Sequence, residues 1–159
     1  MKRGVTVGRY SVIRDATADD APAFADILTA CWRQAYRGVL PDAALDRDIR
    51  DERIARIRRR LDWPTFAAER EGKVIGMMRF AEPPRACDAE IDGLYVHPDA
   101  GRRGIGRALV QHAGTWFAAR GRRSLYIATL RDNRIGRAFY DRLGGRLVEA
   151  KPWPFDGVD

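Results

Sequence analysis

The sequence predicts an α/β fold in which one mixed sheet carries helices on both faces. Three observations predict it. Four segments repeat apolar residues at helical spacing, and six short segments read as strands. A hairpin signal sits in the front half, whereas the rear half alternates strand, helix, strand and helix. The chain of 159 residues, 45% apolar and 32% charged, suits one domain over residues 1–159 with a real core and a polar surface.

The elements follow in order. Residues 1–9 read as a short, basic, flexible N-terminus and not as a charged-then-apolar leader. Residues 11–14 read as a first strand. Thr17 and Asp20 form a capping-box pattern before a helix with Phe24, Ile27, Leu28 and Trp32 on one face. After a break at residues 38–41, a second helix is expected over 42–61, with Leu45, Ile49, Ile54, Ile57 and Leu61 as its apolar positions. Its arginines, Arg56, Arg58, Arg59 and Arg60, read as a solvated outer face. Trp63 and Pro64 end it.

Strands over 66–70 and 74–80 flank Glu71-Gly72-Lys73, and a loop at Pro83-Pro84 leads to a strand over 89–96. The chain then makes a glycine-rich turn at 101–106. A helix over 105–120 follows, with Ile105, Leu109, Ala113, Trp116 and Phe117 inward, stopped by Gly121. A strand over 124–130, a helix over 133–143 and a short strand over 146–151 complete the order β-α-α-β-β-β-α-β-α-β. The residues beyond, 152–159, carry two prolines and read as an irregular tail.

The net charge of +7 and pI near 10.0 favour anionic partners, whether nucleic acid or a phosphorylated small molecule. Cys31 and Cys87 make no disulfide framework, and two histidines are too few for a histidine-based metal site. Cys31 reads as a small core residue rather than a nucleophile. No apolar run approaches the length needed to span a bilayer, so no membrane is expected and the default location is cytoplasmic.

The turn is the most informative segment. Between a strand and a helix, Gly101, Gly104 and Gly106 leave several backbone N–H groups free near the positive helix end, which suits a phosphate. Arg102, Arg103 and Arg107 add charge. A Walker A loop would need Gly-Lys-Ser/Thr where Gly106-Arg107-Ala108 stands, and a dinucleotide fingerprint would need glycine at Leu109. Both fail.

The run from Glu90 through Asp92, Leu94, Tyr95 and Val96 to His97-Pro98, then Gly104-Ile105-Gly106-Arg107, resembles the central strand–turn–helix motif of the GNAT acetyltransferases. Asn133, Phe139-Tyr140 and Gly144 resemble that family's second motif. The resemblance covers roughly residues 11–151 and implies a mostly antiparallel, twisted sheet of about six to seven strands. It implies acetyl-CoA as co-substrate, no metal, and transfer of the acetyl group to an amine by direct attack in a ternary complex. Departures stand at Gly101-Arg102, where the order Arg-Gly is usual, at Gly136 for alanine, and at Gly145 for phenylalanine.

The resemblance also implies roles. The pyrophosphate falls to the amides near Arg102, Arg103, Gly104, Ile105, Gly106 and Arg107, and pantetheine to the backbone of Leu94, Tyr95 and Val96. The Leu94 N–H serves the oxyanion, Glu90 the base with Asp92 as alternative, and Tyr140 the acid. Asn133 caps its helix or contacts CoA. Ala128 stands where ribosomal-protein N-terminal acetylases carry a glutamate, which disfavours their mechanism. Trp32 and Tyr36, four apart on one helix face, could line an acceptor pocket or simply fill core.

Two competing readings remain: a non-catalytic acetyl-CoA-binding or regulatory domain, and a nucleic-acid-binding module supported only by charge. Nucleic acid is not expected as a partner, because no recognised motif accompanies the charge. Because the final family strand has no counterpart in residues 152–159, the sequence predicts a homodimer in which a neighbour covers an open strand edge. The alternative is a monomer whose segment 146–151 lies directly beside the strand over 124–130.

Overall fold

A computed structural model of the chain describes residues 5–7, 11–82 and 87–150. Six strands form one sheet in sequence order: β1 (Val5–Val7), β2 (Ser11–Asp15), β3 (Thr65–Arg70), β4 (Lys73–Ala81), β5 (Ala89–Val96) and β6 (Leu125–Ile127). Every neighbouring pair is antiparallel except β5 and β6, which run parallel. The helices are α1 (Ala21–Tyr36), α2 (Asp42–Leu45), α3 (Arg50–Arg59), α4 (Ile105–Ala118) and α5 (Arg134–Arg142). The parallel β5–β6 pair follows from the α4 crossover between them, since a hairpin cannot join parallel strands.

Alternation along the strands sorts the core to the two faces. On one face, Ile13, Phe66, Met78, Phe80 and Ile91 pack against Ile105, Leu109 and Ala113 of α4. On the other, Ala67 and Met77 pack against Phe24, Ala25 and Leu28 of α1 and against Ile54 and Ile57 of α3. This is the predicted mixed sheet with helices on both faces. On β2, next to the edge strand, the half-buried Arg14 joins Asp20 at 2.8 Å and Glu69 of β3 at 2.8 Å. Asp20 also accepts the Thr17 N–H at 2.7 Å, so the capping pattern read from sequence is also a node between α1 and the sheet.

Four expectations need correction. Residues 5–7, expected to be flexible, add a strand to β2; two of the three are valines and the third is threonine, all β-branched. The helix expected over 42–61 is broken into α2 and α3. Leu45 and Ile49 are both buried, but Asp46 turns its carboxylate to Arg37 at 2.8 Å and Arg33 at 3.0 Å, and the helix resumes only at Arg50. Aspartate competes poorly for helix interiors. The strand expected over 124–130 forms only over Leu125–Ile127.

The strand expected over 146–151 does not form over 146–150. Its apolar residues, Leu147 and Val148, are adjacent and so cannot share one strand face; they are 83% and 72% exposed. The Pro83-Pro84 loop, Lys151 and the tail over 152–159 lie outside the described residues.

His112 of α4 packs its ring on Phe66, with centroids 4.6 Å apart, and its Nε2 is buried without a hydrogen-bond partner. Burial lowers its pKa, against a smaller upward pull from Asp15. The neutral ring therefore contributes stability that is whole above the unfolded pKa of about 6.5 and is lost as pH falls below it. His112→Phe should gain thermal stability relative to the natural protein as pH drops from 7.5 to 5. Parallel melting curves over that range would contradict the burial account.

Candidate functional site

The site is built where β5 leaves β6. The two strands pair only at Ala89↔Leu125, Glu90↔Tyr126 and Ile91↔Ile127. On its other side β5 stays with β4, but the register jumps: Phe80 faces Ile91 while Arg79 faces Gly93. Asp92 is the extra residue, a β-bulge. The bulge switches the alternation, so that Ile91, Leu94 and Val96 all lie on the α4 face and Tyr95 lies with α1.

The same switch fixes where the backbone points. The His97 N–H donates to the Ile75 carbonyl of β4 at 2.8 Å. Alternation then turns the N–H and C=O groups of Val96 and Leu94 to the opposite edge, into the gap. There the Cys31 thiol of α1 donates to the Val96 carbonyl oxygen at 3.1 Å. Burial pushes the Cys31 thiol up to about 11, so it stays protonated, as a core-like cysteine should.

Beyond β5 the chain makes one 3-10 turn, Pro98–Ala100, and enters α4 through the predicted glycine turn. Gly104 caps the helix at φ +82°. The Ala108 N–H is the first to close on this turn, reaching the Gly104 carbonyl at 3.0 Å, so the amides of Ile105, Gly106 and Arg107 lack intrahelical acceptors. Arg102, Arg103 and Arg107 are exposed and make no ion pair with a described residue. Exposed guanidinium groups beside free amides form a cradle suited to an anion.

The swapped pair has a cost. Arg102, not Gly101, takes the left-handed conformation, at φ +56°. Gly101 has an ordinary φ of −63°, but a Cβ there would meet the Pro98 carbonyl oxygen at 3.1 Å. Gly106 is close-packed as well, since a Cβ would lie 3.2 Å from Phe139 of α5.

Helix α5 closes the other side of the gap. Asn133 caps it, accepting the Gly136 N–H at 2.8 Å, and its Nδ2 donates to the Tyr36 hydroxyl of α1 at 3.2 Å. The departure at Gly136 is thereby explained: a Cβ there would sit 2.8 Å from Asn133 Nδ2. The glycines at the end do similar work. Gly144 turns left-handed at φ +83°, and the Gly145 N–H bonds the Tyr140 carbonyl at 3.0 Å, where a Cβ would also meet that oxygen at 3.0 Å.

Burial, with a smaller push from Tyr36, raises the half-buried Tyr140 phenol to about 12. The α1 aromatics Trp32 and Tyr36 meet edge to face at 4.8 Å, with Tyr36 buried. Tyr36, Asn133 and Tyr140 are thus one assembly across the α1–α5 junction. Glu90 sits on β5 opposite Ala81 and beside Tyr126, partly exposed, just before the strands part. Asp92 is held by Arg79 through Nε at 2.8 Å and through Nη2, and by Arg60 at 3.4 Å. Proton transfer to Asp92 would disturb those charged contacts; no such pair was visible in the sequence, where its partners lie 13 and 32 positions away.

The acetyltransferase (GNAT) family model matches residues 21–145. The chain belongs to that family. A protein of Mycobacterium tuberculosis described as a probable N-acetyltransferase is 29% identical over 153 residues, spanning 88% of this chain and 84% of the relative. Among solved structures, PaiA N-acetyltransferase of Thermoplasma acidophilum in complex with coenzyme A superposes with a TM-score of 0.81 at 18% identity, covering 90% of this chain and 94% of that one. A GCN5-related N-acetyltransferase of Ralstonia eutropha gives a TM-score of 0.71 at 23% identity over 91% and 97%. These structures share the fold; family membership makes this GNAT protein an acetyltransferase that uses acetyl-CoA as co-substrate and an amine as acceptor. Among the described residues there is no cluster that could hold a metal ion, and no helix is long and apolar enough to cross a membrane.

The turn yields a paired prediction. Gly104→Val forces a β-branched residue to a positive φ in the cradle and should weaken CoA binding by roughly tenfold or more, about 1.4 kcal/mol. Arg102→Gly relieves left-handed strain of about 1 kcal/mol and should raise the melting temperature. Calorimetric titration with CoA and thermal unfolding check both. Unchanged CoA affinity in Gly104→Val would reject the cradle.

Proposed function

We propose that the amine attacks acetyl-CoA directly, in a ternary complex assembled across the gap between β5 and β6. The observation that carries this reading is the open edge of β5, whose Leu94 and Val96 backbone groups face a gap bounded by the α4 turn and by Tyr140. The pyrophosphate takes the amides of residues 103–106, with Arg102, Arg103 and Arg107 around it, and pantetheine adds to β5 along Leu94, Tyr95 and Val96. The Val96 carbonyl oxygen, with two lone pairs, can accept from pantetheine beside the Cys31 thiol, and the Val96 N–H can donate. Asn133 orders the start of α5 beside the cofactor.

The chemistry then divides among few groups. Glu90 removes a proton from the arriving ammonium, through water, since an ammonium has no lone pair for attack. The Leu94 N–H stabilises the oxygen that gains charge as the C–N bond forms. The C–S bond breaks next to the Tyr140 hydroxyl. A phenol near 12 is not acidic enough to surrender its proton fully to a thiolate of ordinary pKa, about 8.5. Tyr140 therefore acts by donating a hydrogen bond to the departing sulfur. Of the two protons the ammonium loses, the first goes to Glu90 through water. The second, released from nitrogen to water as the amide forms, offsets the charge of the thiolate. Trp32 and Tyr36 supply an aromatic wall for a partly apolar amine.

A homodimer accompanies this reading. Leu147 and Val148 stand exposed, and β6 has no second neighbour among the described residues. A partner copy would cover both. The two free cysteines accord with a cytoplasmic location.

Release of CoA with a panel of polyamines, aminoglycosides, amino acids and peptides tests the function. Glu90→Gln should lower turnover by roughly 10²–10⁴-fold near neutral pH and lose less at high pH, where the amine is already neutral. Full activity at every pH would remove Glu90 from the mechanism. Tyr140→Phe should lower kcat with CoA affinity nearly unchanged. Light scattering over a range of concentrations should return a dimer; a strict monomer would reject the covering partner.

A further inference from the structure

The bulge that aims β5 into the gap is held by side chains that the acetyl-transfer chemistry leaves unused. Asp92, the inserted residue, receives the Arg79 Nε at 2.8 Å and its Nη2, while Arg60 at the end of α3 approaches the same oxygen at 3.4 Å. Arg79 stands opposite Gly93, directly across the bulge, and its side chain is only 14% exposed. The ion pair therefore ties the two sides of the irregularity together in a part-buried place, where removing Arg79 leaves Asp92 only the more distant and more exposed Arg60. Bulges are inserted residues that must be kept from slipping back into register.

The consequence of slipping is specific. Were Asp92 paired regularly instead of bulged, alternation from Ile91 would put Leu94 on the α1 face and turn its N–H toward β4. The bulge instead leaves Leu94 beside Val96 on the α4 face with its N–H in the gap. Gly93 fits the same arrangement, since a Cβ there would press on the Tyr95 ring at 3.1 Å.

We infer that Arg79 is a positioning residue: through Asp92, and with Arg60 closing from outside, it holds the β5 bulge that presents the Leu94 N–H to the acetyl carbonyl. This rests on the acetyl-CoA site proposed above. Arg79 touches no reacting atom; its effect passes through the strand.

The test is a nitrogen–proton correlation spectrum of the full chain, titrated with acetyl-CoA and with CoA. In the natural protein, both ligands should shift the amides of residues 103–107, and acetyl-CoA should shift Leu94 further than CoA does. In Arg79→Met, the loop amides should shift as before while the acetyl-specific shift of Leu94 falls by more than half. Arg79→Lys, which restores a cation opposite Asp92, should recover part of it. An unchanged acetyl-specific Leu94 shift in folded Arg79→Met would overturn the inference. Absence of loop shifts in the natural protein would overturn the cofactor site, and the inference with it. Should Arg79→Met fail to fold, Arg60→Gln removes the outer half of the clamp and should give a smaller loss in the same direction; no loss there would also count against it.

Discussion

Everything in this molecule's site depends on β5 having a partner on one side only. A strand flanked on both edges offers a ligand nothing, because its amides and carbonyls are spent in the ladder. Here β4 follows β5 to its end, whereas β6 is three residues long and leaves at Ile91. The backbone groups so released would be costly in a closed core. They are tolerable because this edge is not closed over: Leu94, Tyr95 and Val96 all remain partly exposed.

The surrounding elements follow from that opening. The crossover from β5 to β6 needs a helix, and α4 begins at the gap's mouth with its amides and arginines exposed. Helix α5 spans from α1, through Asn133 and Tyr36, to α4, through Phe139 and Gly106. It therefore keeps the two walls at a fixed separation. Away from the gap, the Arg14–Asp20–Glu69 node and the Phe66, Phe80, Trp116 and Phe117 aromatic cluster anchor the sheet. Those regions carry stability so that the gap does not have to.

Much of this was legible in the sequence, for reasons that can be named. Glycine turns and capping residues act locally, so the α4 turn, the Thr17–Asp20 cap and the Asn133 cap were readable from neighbours alone. The α2–α3 break was not, because it depends on Asp46 meeting Arg33 and Arg37 in space. The length of β6 is not legible, because nothing in residues 128–130 signals a ladder that has run out of partner. The bulge at Asp92 is invisible for the same reason: an alternation error of one residue looks like ordinary sequence until the opposite strand is in place. The arginine excess, which pointed vaguely to anions, divides into exposed groups at the turn and paired ones such as Arg14, Arg37, Arg50 and Arg79.

The central claim is that the open edge of β5 and the α4 turn together receive the cofactor. Amide hydrogen exchange with and without saturating CoA addresses it directly, residue by residue. The account predicts new protection concentrated at residues 94–96 and 103–107, with β2 to β4 almost unchanged. Protection confined to other segments, or none at saturation, would contradict it.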